Sequence, residues 1–156
     1  MPNSLPKKAL IANRILAVLK SVTAGDDFYV TPLDVFLGYK QSVSGYPALS
    51  VRDEPGGVVE NGGDYFVSET FYLAVHGEVR DAGDVVTPRL LVLRDVRKAI
   101  TDDFKGEAGA GSLRTLADDI CIEGAPELQD GPEGTGFFGY FKQKIKVLVS
   151  GLIEDL

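Results

Sequence analysis

Between Lys7 and Val22 the apolar residues Leu10, Ile11, Ile15, Val18, Leu19 and Val22 recur every three or four positions, while Lys7, Lys8, Asn13, Arg14 and Lys20 fall mostly elsewhere on the wheel. That spacing predicts a helix from about Pro6 to Ser21 with one buried face. Pro6 suits a first turn, and the following TAGDD ends the helix, because Gly25 accepts a left-handed conformation and Asp26-Asp27 favour a turn. The stretch DFYVTPLDVFLGYKQS reads as extended, interrupted at Thr31-Pro32, where proline forces its predecessor out of helical geometry.

Period-two patterns take over next. In SGYPALSVRDE, Leu49 and Val51 alternate with Ala48, Ser50 and Arg52, which predicts a short strand with Leu49 and Val51 inward. EPGGVVENGGDY, rich in Gly, Pro and Asn, reads as a loop or a long mobile hairpin arm, so residues 54–64 are expected to be mobile. From Phe66 to Arg80 the alternation is clean: Phe71, Leu73, Val75, Gly77 and Val79 share one face, and Tyr72, Ala74, His76 and Glu78 the other. A second helix follows Thr87, a suitable N-cap before Pro88, with Leu90, Leu93, Val96, Ile100 and Phe104 as its apolar stripe. Residues 106–136 are expected to be largely mobile loop: the glycine-rich GEAGAGS, a short strand in LADDICIEGA, and a turn-rich acidic stretch in PELQDGPEGTG. The closing FFGYFKQKIKVLVSGLIEDL reads as one long strand, with Phe141, Gln143, Ile145, Val147 and Val149 on one face and Tyr140, Lys142, Lys144, Lys146 and Leu148 on the other. The lysines suit either a device against edge-to-edge aggregation or a positive stripe shown to a partner. The order helix, strands, helix, strands predicts an α+β class, a mainly antiparallel sheet with two helices packed on one face.

Composition narrows the class. A chain of 156 residues is of single-domain size, so residues 1–156 are expected to form one domain, and 44% hydrophobic with 25% charged residues is an ordinary globular balance. No apolar run approaches the roughly 20 residues that cross a bilayer, and the N-terminal stretch lacks the unbroken apolar region of a secretion signal, so no membrane association is expected. A net charge of −7 disfavours non-specific nucleic-acid binding, which needs concentrated Lys and Arg.

Familiar chemistry finds little support. His76 is the single histidine and Cys121 the single cysteine, so the usual zinc sets have too few ligands. No GxSxG elbow accompanies His76, which is expected to be a strand residue facing solvent or an interface. Cys121 is expected to pack as a small buried hydrophobe. The glycines of GEAGAGS lack the GK[ST] ending of a phosphate cradle and follow a helix instead of a strand. The acidic pairs Asp26-Asp27, Asp102-Asp103 and Asp118-Asp119 show no known cation spacing. No enzyme, cofactor or metal is expected.

Several segments in order are similar to those of the tail terminator proteins of long-tailed bacteriophages, which join the tail to the head. They are the helix IANRILAVLKSV leading into TAGDDFYVT, the proline-led YPALSVRDE, the strand FYLAVHGEV, the helix LLVLRDVRKAITDD and the strand KQKIKVLV, with LLVLRDVRKAI the most specific. The resemblance spans most of the chain. It implies a structural virion protein, assembled in the host cytoplasm, that forms a hexameric ring on the last ring of the tail tube, stops polymerisation and offers a surface to the head-completion or neck proteins. Its expected partners are copies of itself, the tube protein and a neck protein. A closed ring needs two unlike complementary patches on each subunit. The candidates are basic, Lys142, Lys144 and Lys146 with Arg94, Arg97 and Lys98, and acidic, the Asp26-Asp27 turn with residues 127–133. The Pro55 to Gly63 arm is expected to order on docking. Two alternatives stay open: another neck or tail component, such as a head-closure or tube protein, and a small ligand-binding domain or enzyme.

Overall fold

The computed structural model describes residues 5–106, 112–133 and 136–152. Helix α1 (Lys7–Lys20) begins directly after Pro6, whose extended backbone starts it, and buries Ile11, Ile15, Val18 and Leu19. Strand β1 (Asp34–Leu37) is the only regular part of the stretch read as extended. It pairs in parallel with β2 (Ala48–Asn61), and β3 (Phe66–Asp81) returns antiparallel. Helix α2 (Val86–Lys105) and the single turn α3 (Leu113–Leu116) come before β4 (Asp119–Glu133) and β5 (Gly136–Leu152). The five strands form one mixed, mostly antiparallel sheet in the order β1-β2-β3-β5-β4, so the fold is α+β.

The buried large apolar side chains of the central strands point to the same side. Leu49 and Val51 of β2, Phe71, Leu73 and Val75 of β3, and Phe141, Ile145, Val147 and Val149 of β5 meet the buried faces of α1 and α2 in one continuous cluster. Gly77 belongs to this face, and a Cβ there would lie 2.1 Å from the Phe141 ring, so the glycine makes room for the aromatic side chain.

The structure corrects the sequence reading at several places. Residues 54–64 are mainly strand, since β2 runs on to Asn61 and only Gly62 to Tyr65 form the turn. A bulge absorbs Pro55-Gly56-Gly57 between Glu54 and Val58, and Gly57, at φ +114°, passes so close to Thr70 O that a Cβ would clash. Likewise most of residues 106–136 is ordered: β4 spans Asp119–Glu133, with a second bulge between Glu123 and Glu127 over Gly124 and Pro126. Residues 107–111 of the glycine-rich stretch lie outside the described residues.

Helix α2 starts two residues earlier than expected. Asp84, not Thr87, accepts the first free amides, from Val86 at 2.9 Å and Thr87 at 3.3 Å. Leu90 is half exposed, and Arg89 takes the buried position in its place, paired with Asp130 of β4. Cys121 is exposed, because Ile120 and Ile122 face the core and the residue between them must face away. Strand β5 lies between β3 and β4, so its lysines cannot be guarding an edge.

Candidate functional site: the open face of the sheet

Both helices cover one side of the sheet, and the side chains that alternate away from the core build a polar lattice on the other. Register sets its rows. Ser50, His76, Lys142 and Glu127 lie in one line across β2, β3, β5 and β4; Arg52, Ala74, Lys144 and Glu123 in the next; Glu54, Tyr72, Lys146 and Cys121 in the third. On the other side of the His76 row come Ala48, Glu78, Tyr140 and Gln129.

At the centre, His76 Nδ1 lies 2.6 Å from the Tyr140 hydroxyl. Burial pushes the Tyr140 phenol up from its ordinary value, so it keeps its proton at neutral pH, and the tautomer of His76 sets which of the two partners donates. Burial, aided by the nearby Arg52 and Lys142 charges, pushes His76 down to about 4. The ring is therefore neutral near pH 7, and its 3.9 Å approach to Glu54 is not an ion pair there. Glu54 reaches over the small Ala74 to pair with Lys142 at 3.0 Å, and Glu127 approaches the same lysine at 3.6 Å. The Glu54 hydrogen bond holds the Lys142 ammonium above its usual range. Beside them, Lys144 Nζ sits 4.0 Å from the Tyr72 ring centroid, and Arg52 stacks at 4.0 Å on Tyr39. A shallow hollow of about 670 Å³ between Glu78, Arg80, Glu127, Phe138 and Tyr140 flanks the lattice.

The other candidates lie on the helix layer and are occupied within the subunit. Arg94 donates to Asp27 O and to Asp95, each at 2.8 Å, so one predicted basic residue already grips the backbone of the acidic turn meant to oppose it. Arg97 points inward, its Nε 3.0 Å from the side-chain oxygen of Gln143. Gln143 is fully buried and passes the interaction on to the carbonyls of Glu123 and Gly124 at the β4 bulge. Lys98 pairs with Asp102 one turn along α2 and lies over Phe28. Lys142 and Glu127, also placed on opposing patches, meet inside one subunit. Lys144 and Lys146 make no ion pair with a carboxylate among the described residues, and neither do the Asp26 and Asp27 side chains with a cation.

Glu54 and Tyr140 are the members that sequence reasoning did not single out. Tyr140 shares the lysine face by simple alternation, but the role of Glu54 depends on β2 continuing past Arg52. Cys121 has its thiol pushed up, by burial first and then by Asp119 and Glu123, which keeps it protonated at neutral pH. Among the described residues, no three His, Cys, Asp or Glu side chains gather to hold a metal ion. No protein-family model matches the sequence, and no curated protein matches it significantly.

Proposed function

We propose that the chain is a structural assembly protein of the tail-terminator kind, a subunit that closes into a ring on the end of a phage tail tube and presents a face to the neck. The observation that supports this reading best is the two-sided layout. The segments that resemble tail terminators fall on α1, the start of β2, β3, α2 and β5, the elements that build both layers, and those layers leave one broad sheet face uncovered. That face is stiff. Glu54, Lys142 and Glu127 are held by their ion pairs and His76 by its contact with Tyr140, so docking onto this part of the face orders few side chains and loses little entropy.

Head-to-tail closure needs two unlike patches. Lys144 and Lys146, uncompensated on the open face, serve as the basic one, and the Asp26-Asp27 turn after α1 serves as its acidic counterpart on a neighbour. Arg94, Arg97, Lys98 and Lys142 act within the subunit, holding the surfaces in shape. Light scattering over a wide concentration range, with negative-stain images of each species, tests the reading. Closed rings, or a monomer that becomes rings as concentration rises, are expected. Open tubes would make the chain a tube component, and a monomer that neither associates nor caps purified tail tubes overturns the ring.

A further inference from the structure

A groove on the opposite edge of the molecule is independent of the open face. Strand β1 accompanies β2 only from Ala48 to Val51; Gly38 N–H then bonds Val51 O at 2.8 Å and the chain leaves the sheet. Strand β2 runs on for ten residues, and none of the described residues lies beside this outer edge as a strand. Because outward-pointing backbone groups recur every second residue, those of Asp53 follow the ones of Val51 and face the open side. Alongside, α1 presents Ala9 and Ala12, side chains too small to close the gap. Two adjoining hollows of about 410 Å³ and 450 Å³ result, sharing Ala9, Ala12 and Asp53 as walls. Val51 and Leu73 floor the first, and Phe71 the second.

An exposed strand edge beside a helix is the geometry that accepts an added strand, with backbone hydrogen bonds for affinity and alternate side chains for selectivity. We propose that this groove takes a short extended segment of a partner protein, laid along β2 as a continuation of β1, with small apolar side chains toward α1 and a lysine or arginine opposite Asp53.

Charge selects this occupant. Around the groove Lys8 is paired with Glu69, Glu54 with Lys142, and Arg52 is stacked on Tyr39. Asp53, exposed, makes no hydrogen bond or ion pair through its side chain among the described residues, and a basic side chain in the cross-strand position completes it. Pro55 is the next outward residue and has no N–H to offer, and the bulge follows at once, so the added segment is short. The same two features, with the chain's net charge of −7, disfavour a second copy pairing by its own acidic edge strand, in which Asp119 to Glu133 contains no Lys or Arg.

The test is a titration of the full chain with end-blocked hexapeptides that alternate Thr with groove-facing Val, Lys, Val, and with counterparts carrying Glu for Lys. Amide resonances report the site. The Lys peptides are expected to move the signals of Ala9, Ala12 and Asp53 and to saturate, with the Glu peptides at least about tenfold weaker, a preference of the size that close charge pairs supply. In Asp53→Lys, an exposed change that leaves the fold intact, the preference reverses. Unmoved groove signals at millimolar peptide, or equal affinity for both peptides, overturns the proposal. So does concentration-dependent dimerisation that Asp53→Lys abolishes, which gives the groove to a second copy.

Discussion

At the scale of single residues, His76 makes stability depend on pH in a definite direction. Its folded value of about 4 lies below the roughly 6.5 of an unfolded histidine. Between those values the unfolded chain binds the additional proton, so the contribution is fully present above pH 7 and is lost as pH falls from about 6.5 toward 4. Urea denaturation at half-unit pH steps should show that slope between pH 6.5 and 4.5 in the parent and a flatter profile in His76→Asn. Below that window the carboxylates add their own dependence. Asp103 is one: burial raises its pKa, but the Arg14 side chain and the Leu113 amide outweigh burial and hold it below the usual range. Gly77 gives a sharper case. Alanine there drives a methyl into the fully buried Phe141 ring, and the expected loss is about 3 kcal/mol of unfolding free energy by the same denaturation.

At the scale of elements, polar side chains tie helix to loop and helix to sheet. Buried Asp95 of α2 accepts the backbone N–H groups of Tyr29 at 2.7 Å and Val30 at 2.9 Å, which pins the connection between α1 and β1. Asp95→Ala leaves both amides without that acceptor and should cost about 3 kcal/mol, while Asp95→Asn, which keeps an acceptor oxygen, should cost less than half as much. Thermal unfolding of the two variants side by side distinguishes them. The same scale explains what could be read in advance. Strands β3 and β5 and helix α1 are legible because one face of each is buried along its length, so burial imposes an unbroken period. The far halves of β2 and β4 are not, since Pro55-Gly56-Gly57 and Gly124 to Pro126 look like loops, and only pairing with β3 and β5 carries the chain through each bulge. The burial of Arg89 is hidden for a similar reason: its partner Asp130 is 41 residues away, and nothing local marks the helix position as buried. In the candidate site the lysine stripe was visible as alternation. Its partners were not, because Glu54 meets Lys142 only through a register that a sequence does not display.

At the scale of the whole molecule, the proposed ring puts interaction on the open face and leaves stability to the core beneath the helix layer. The Lys144→Gln/Lys146→Gln double variant removes charge from the face without touching the core, so its midpoint of unfolding should stay within a few degrees of the parent's. On the proposed ring reading its association, by the same light scattering, should fall at least tenfold below the parent's. Raising salt from 0.05 M to 0.5 M should weaken the parent's association in the same direction, because exposed charges are screened over shorter distances.

The strand order has a consequence for how the molecule comes into being. Strand β5 is the last described element along the chain and yet lies inside the sheet, between β3 and β4. A ribosome delivers β3 long before the neighbour that covers its other edge, and α2 emerges with no complete surface to lie against. Until β5 has emerged, the growing polypeptide holds an apolar hairpin with an unpaired inner edge. Its maturation therefore waits for β5, and contacts between residues so far apart in the chain make that event slow compared with helix formation.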